Sequence, residues 1–237
     1  MPIFKAFGAA LLTCVALAGC VGGLGSASAP RVATVTSDAV RITGPSGFCV
    51  DPTATRDGGD TGFVLLGNCA VLADSRFVGQ PAVPAVLTAA ISASGDGGEI
   101  SENLSALDGF FRSGEGMRLL SRTQEAGTVT ILNSAVEGDV FYLQARDTSA
   151  GPVDGVQDVY WRAYFDLGAR IATLTVLGRA DREISSDQSL TILREFVSAV
   201  RNSNAAGAAT TGTTATGETS APAVGGRLFD FDLFGGI

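Results

Sequence analysis

Two stretches of this chain cannot bury a core, and they bracket everything that can. Residues 20–31 are mostly glycine, alanine, serine and valine. Residues 205–226 hold seven alanines, six threonines and five glycines in 22 positions. Such composition offers too little apolar side chain to offset the entropy of ordering, so both read as linkers. Between them lies a segment, residues 32–204, long enough for one domain with a sizeable core. Hydrophobic residues make up 46% of the chain and charged residues 17%, a globular balance.

Within that segment the apolar pattern switches period twice. Ala39-Val40-Arg41-Ile42-Thr43 alternates as a strand, and Gly44-Pro45-Ser46-Gly47 turns the chain. Phe48-Cys49-Val50 is a short strand that should stop at Asp51-Pro52. Arg56 to Gly62 reads as a solvated hairpin tip. Phe63-Val64-Leu65-Leu66 is continuously apolar and predicts a central strand buried on both faces, extended by Cys69 to Leu72. Ala85 to Ser92 is a further strand. A short helix follows, with Ser101 as its N-cap and Leu104, Leu107, Phe110 and Phe111 on one face, ending at Gly114 and Gly116.

Strands then resume: Met117 to Ser121, Thr128 to Leu132, Val140 to Ala145, and a long hairpin of Val159 to Phe165 with Ile171 to Leu177 around Gly168. On the first arm Trp161, Ala163 and Phe165 share one face, and Tyr160, Arg162 and Tyr164 the other. Two tyrosines flanking an arginine can form a recognition face, or simply give cross-strand support on a solvated one. Ser185 and Gln188 fit a capping box that opens a helix with a stripe of Leu190, Leu193, Val197 and Val200, broadened by Ile192 and Phe196. Runs of strands separated by a mid-chain helix and closed by a C-terminal one predict an α+β fold. It should be an antiparallel sheet of about six to eight strands packed by those two helices.

Charge narrows the chemistry. The chain has no histidine, which removes Ser-His-Asp and Cys-His catalytic units and His-ligated zinc. Its only lysine is Lys5. From residue 20 onward 15 arginines face 24 acidic residues, so nucleic acid is not an expected partner. No metal or cofactor is expected either. Asp57, Asp60, Asp96 and Glu99 lie in loops and could pair for acid–base work, although their spacing lacks the calcium-loop pattern.

The N-terminus carries an address. Lys5 precedes a mostly apolar run from Ala6 to Leu17, too short to span a bilayer and of the length of a signal h-region. The run ends in Leu17-Ala18-Gly19-Cys20, which resembles the signal of bacterial lipoproteins. That resemblance implies removal of residues 1–19 and lipid, including palmitate, on Cys20. Val21, in place of the aspartate that marks inner-membrane retention in enteric bacteria, implies the outer membrane, facing the periplasm. Residues 20–31 would then be a tether. In that oxidising compartment Cys49 and Cys69 are most simply a structural disulfide. A redox-active pair calls instead for Cys-x-x-Cys spacing and a lowered thiol pKa.

The element order also resembles the PsbP-like α/β/α sandwich over most of Val40 to Asn202. The shared features are the Gly44-Pro45-Ser46-Gly47-Phe48 turn, the mid-chain helix, and a long hairpin leading into a terminal amphipathic helix. The resemblance implies a non-catalytic accessory or binding module and carries over no functional residue. Beyond the 205–226 linker, residues 227–237 place Phe229, Phe231 and Leu233 on one face at period two, followed by Phe234, with Asp230 and Asp232 opposite. This peptide can add as a strand to a protein partner, dock on its own domain, or have no role. The expected function is therefore a lipid-anchored periplasmic binding or assembly module, attached to the membrane through its N-terminal lipid. The alternatives are a small-ligand carrier and a carboxylate-dependent hydrolase.

Overall fold

The computed structural model describes residues 29–208 apart from 38, 96–97 and 151–154. Its centre is a seven-stranded sheet in which every neighbouring pair is antiparallel. In chain order the elements are β1 (Val32–Val35), β2 (Val40–Thr43), β3 (Phe48–Asp57), β4 (Gly62–Asn68), α1 (Cys69–Leu72), β5 (Ala85–Ile91), α2 (Glu99–Phe111) and α3 (Gly114–Leu120). After a 3-10 turn come β6 (Val129–Glu137), β7 (Val140–Asp147), β8 (Val156–Leu167), β9 (Arg170–Arg179) and α4 (Ser186–Ala208). The strands lie in the order β3-β4-β5-β9-β8-β7-β6, and β1 with β2 forms a separate hairpin. This is the α+β architecture that the run of elements predicts, with mid-chain and C-terminal helices in place.

The larger core lies between one sheet face and α4 with the β1–β2 hairpin. Val64, Leu66, Leu87, Leu174, Val176 and Phe165 point into it from the strands, and Leu193, Phe196, Val197 and Val200 from the helix. The capping box forms as the residues require: Ser185 N–H donates to Gln188 Oε1 at 3.0 Å and Gln188 N–H to Ser185 Oγ at 3.2 Å. At its other end α4 is clasped to β2. Arg41 N–H donates to Asn204 Oδ1 at 3.0 Å, while Asn204 Nδ2 and Ser203 Oγ donate to Arg41 O at 2.8 and 3.0 Å.

Several local expectations are corrected. Pro52 does not end β3, which runs on to Asp57. β3 is an edge strand with a register shift between Asp51 and Arg56, and an edge tolerates the missing N–H. Cys69 to Leu72 is a helical turn instead of a strand, because Asn68 Oδ1 accepts from Ala70 N–H and caps it. Met117 to Leu120 belongs to α3, capped by Ser113 Oγ, which accepts from Gly116 N–H at 3.1 Å. Gly116 makes that corner possible, since a Cβ there would fall 2.2 Å from Phe110 O. Helix α2 starts at Glu99, ahead of Ser101. Its N-terminal amides are capped from across the fold by Asp166 of β8, which accepts from Ile100 N–H and Ser101 N–H at 3.3 and 2.9 Å.

The 44–47 turn links the two sheets instead of closing a hairpin, since β2 pairs with β1 and β3 with β4. Gly47 sits there at φ 86°, with Pro81 N only 2.3 Å from where a Cβ would lie, so only glycine fits. The Cys49–Cys69 disulfide is present and ties β3 to α1. Two measurements follow. Phe196→Asp puts an unpaired charge into the larger core and is expected to cost at least about 4 kcal/mol, abolishing cooperative thermal unfolding followed by circular dichroism. Reduction of the disulfide is expected to lower stability by about 3 kcal/mol, read as a shift in urea midpoint.

Candidate binding cleft

The sheet's other face is covered over only part of its width. Helices α2 and α3 pack on β6, β7 and β8. There Ile100, Leu107, Phe111 and Leu120 meet Phe141, Leu143, Tyr160 and Tyr164 in a second, smaller core. Phe111 stacks on Tyr164 with ring centroids 4.8 Å apart. Beyond β8 no element among the described residues covers this face, and a cleft of about 450 Å³ opens over β9, β5 and β4. That volume lies within the range of small-molecule sites.

Register explains which side chains meet there. Leu65 of β4 pairs with Thr88 of β5, Thr88 with Thr175 of β9, Thr175 with Arg162 of β8, and Arg162 with Leu143 of β7. One rung thus crosses the sheet from the open half to the covered half, and Arg162 stands at the boundary. Phe63, two residues from Leu65, lies on the same face and adds a second apolar patch, while Leu177 stands beside Tyr160. Residues 63–66 are therefore not buried on both faces. Val64 and Leu66 are at 0% exposure in the larger core, while Phe63 and Leu65 remain partly exposed. Together with Leu177 they give the cleft its apolar surface.

The tyrosines that flank Arg162 are buried at 2% and 5% exposure, so they do not sit on a solvated face. Tyr160 donates its hydroxyl to Leu120 O at 3.0 Å and pins the end of α3 to the sheet. Burial pushes its pKa up to about 12 and also raises that of Tyr164, so both stay protonated, and the Tyr164 oxygen accepts from Arg162. Arg162 Nε donates to Thr175 Oγ1 at 3.0 Å, and its guanidinium carbon lies 5.0 Å from the Tyr160 ring centroid. Burial opposes its charge, but Tyr164, Tyr160 and the Asp147 carboxylate favour it and the net shift is upward.

Two more arginines line the cleft from other elements. Arg122 follows α3 and is engaged. Its N–H donates to Asp147 Oδ2 at 2.8 Å, its Nε lies 3.9 Å from the same oxygen, and its Nη2 donates to Gln157 O at 3.1 Å. Asp147 is fully buried behind it. Burial alone would raise the Asp147 pKa, but hydrogen bonds from Arg122 N–H, Ser149 N–H, Ser149 Oγ and Thr128 outweigh it and hold the carboxyl below its usual value. Arg56, on the edge strand, is exposed and has no ion-pair partner among the described residues. No acidic side chain among the described residues lines the cleft. Ser121, its one serine, is held by Thr123 N–H, Glu125 N–H and the Thr128 hydroxyl.

The other residues singled out by sequence lie elsewhere. Cys49 and Cys69 form the disulfide and do not line the cleft. Asp57 Oδ1 accepts from Thr36 N–H and Gly59 N–H, both at 2.9 Å, and fastens the β3–β4 tip to the first hairpin. Asp60 accepts from Ser94 N–H and pairs with Arg170 at 3.2 Å. Asp96 and the side chain of Glu99 lie outside the described residues, as do Leu17 to Cys20, Phe229, Phe231, Leu233 and Phe234. Among the described residues no group of three or more His, Cys, Asp or Glu could hold a metal ion, and no helix is long and apolar enough to cross a membrane. Of the cleft residues, Tyr160 and Arg162 were legible as part of a face; Arg56 and Arg122 had no local signal.

Comparisons with protein families, with curated proteins and with solved structures find no match to this chain. The buried Asp147 gives a pH test. A carboxyl whose pKa is depressed by folding contributes stability above its unfolded pKa of about 3.9, and that stability is lost as pH falls through the lower folded value. Asp147→Asn is expected to cost about 2 to 4 kcal/mol at pH 7. In urea titrations the gap to the native chain should narrow as pH falls below about 4.

Proposed function

We propose that this chain is a lipid-anchored binding module of the bacterial cell envelope. Cys20 holds it in the outer membrane facing the periplasm, and the cleft takes up an amphipathic small molecule. The observation that carries this reading is the cleft itself, with an apolar floor on β4 and β9 beside a small set of fixed polar groups. Sites for small ligands have that composition: apolar area for affinity, a few placed polar atoms for orientation. The lipoprotein-like N-terminus supports the location, and a glycine-, alanine- and serine-rich stretch at 20–31 is of the composition that would let the domain stand away from the bilayer.

A carboxylate-dependent hydrolase is disfavoured by what Asp57 and Asp60 do. Each is committed to backbone amides, and Asp60 also to Arg170. An assembly role stays within the proposal through the C-terminal peptide, where Phe229, Phe231, Leu233 and Phe234 would seat on a protein partner. The free edge at β6, with Leu132 and Val136 exposed, is a second place where a strand could add.

Two results test the proposal. Cys20→Ser is expected to move the protein from the membrane fraction to the soluble periplasmic fraction. Thr88→Trp fills the cleft. Native mass spectrometry of protein extracted from membranes should then show a bound small molecule on the native chain and none on Thr88→Trp, at an unchanged melting temperature. The same ligand on both would place binding outside the cleft.

A further inference from the structure

The apolar floor of the cleft does not call for an arginine in mid-sheet. Arg162 is anchored by Thr175 Oγ1 through Nε, by the Tyr160 ring beneath it and by the Tyr164 hydroxyl beside it. These neighbours position the guanidinium without neutralising it. Among the described residues no carboxylate pairs with it, and none lines the cleft. Arg122 is the contrast on the same wall, since it faces the buried Asp147. Asp147, already engaged by Arg122, favours the Arg162 charge only through space. A half-buried cation without a paired counter-ion is costly, and folded proteins ordinarily supply the partner.

We infer that Arg162 is the head-group anchor for a carboxylate-bearing amphiphile, whose apolar body lies over Thr88 toward Leu65 and Phe63. The inference rests on the cleft being the binding site and names the class of ligand it takes. With Nε committed to Thr175 and one N–H to the Tyr164 hydroxyl, the remaining terminal N–H groups are the donors left for a planar carboxylate, which arginine meets with two parallel hydrogen bonds. The floor running away from that point is apolar along β4, so charge lies at one end of the ligand and hydrocarbon at the other. Arg56 adds an unpaired positive charge on the edge strand. It draws an anion toward the cleft of a chain whose net charge is −8.

The test uses the full chain carrying Cys20→Ser, titrated by calorimetry with dodecanoate, with 1-dodecanol and with dodecyltrimethylammonium. Dodecanoate is expected to bind at least tenfold more tightly than the alcohol, and the ammonium compound least. Arg162→Gln should weaken dodecanoate by about ten- to a hundredfold, the worth of a charged hydrogen-bonded pair, and leave the alcohol unchanged. Arg162→Lys keeps the charge, guards against a folding defect, and should fall between. Equal binding of alcohol and carboxylate to the native chain overturns the anion assignment while the cleft reading stands. Binding of all three that persists in Thr88→Trp overturns the cleft reading itself. Deleting residues 227–237 should leave the dodecanoate affinity unchanged. A tenfold gain on deletion would make the chain's own Phe-Asp peptide the occupant and overturn the proposal.

Discussion

Width decides this structure. Seven strands about 4.8 Å apart span roughly 30 Å, and a helix with its side chains covers about 10 Å, or two strands. On one face α4 and the β1–β2 hairpin share the cover and enclose the larger core. On the other, α2 and α3 pack on β6, β7 and β8. Open sheet on the β9-β5-β4 side is therefore built into the architecture, and the cleft is that remainder. Its position at the edge of the α2–α3 layer places Arg162 where burial and access meet.

Sequence reading did best where the two faces of an element carry different side chains. The alternation of Trp161, Ala163 and Phe165 against Tyr160, Arg162 and Tyr164, and the capping box of α4, could be read because a local pattern and the tertiary packing agree. It failed where the pattern was too short or too uniform. Met117 to Leu120 is one apolar turn that suits a helix or a strand, and the choice was made by the Ser113 cap and the space left at Gly116. Phe63 to Leu66 reads as buried on both faces because an apolar cleft floor and a core wall have the same composition. Only the reach of α3, an element far along the chain, separates them.

The candidate site was legible only in part for the same reason. Tyr160, Arg162 and Tyr164 lie within five residues and announce a face. Arg56 and Arg122 arrive from an edge strand and from a turn after a helix, and only sheet register for the one and the bonds to Asp147 and Gln157 for the other bring them to the cleft. The acid-rich loops drew notice by composition, yet Asp57 and Asp60 spend their oxygens on amides and an arginine. Asp147 and Asp166 do comparable work, one holding Arg122 and the other capping α2. In an acidic chain many carboxylates serve as fasteners, and the unusual charge is Arg162, half-buried in mid-sheet with no carboxylate paired to it among the described residues.

The clasp between Arg41 and Asn204 bears on how the domain would carry tension. Its hydrogen bonds join β2, the partner of β1, to the last turns of α4, so both ends of the folded segment meet at one corner. A pull applied at Val32 and Ala208 would load this corner first. The clasp would peel open together with the bonds that tie the first hairpin to β3, Val50 N–H to Pro30 O and Thr36 N–H to Asp57, while β5, β7, β8 and β9 lie outside the loaded corner. Held from both sides, the domain would yield at its seam and keep its cleft.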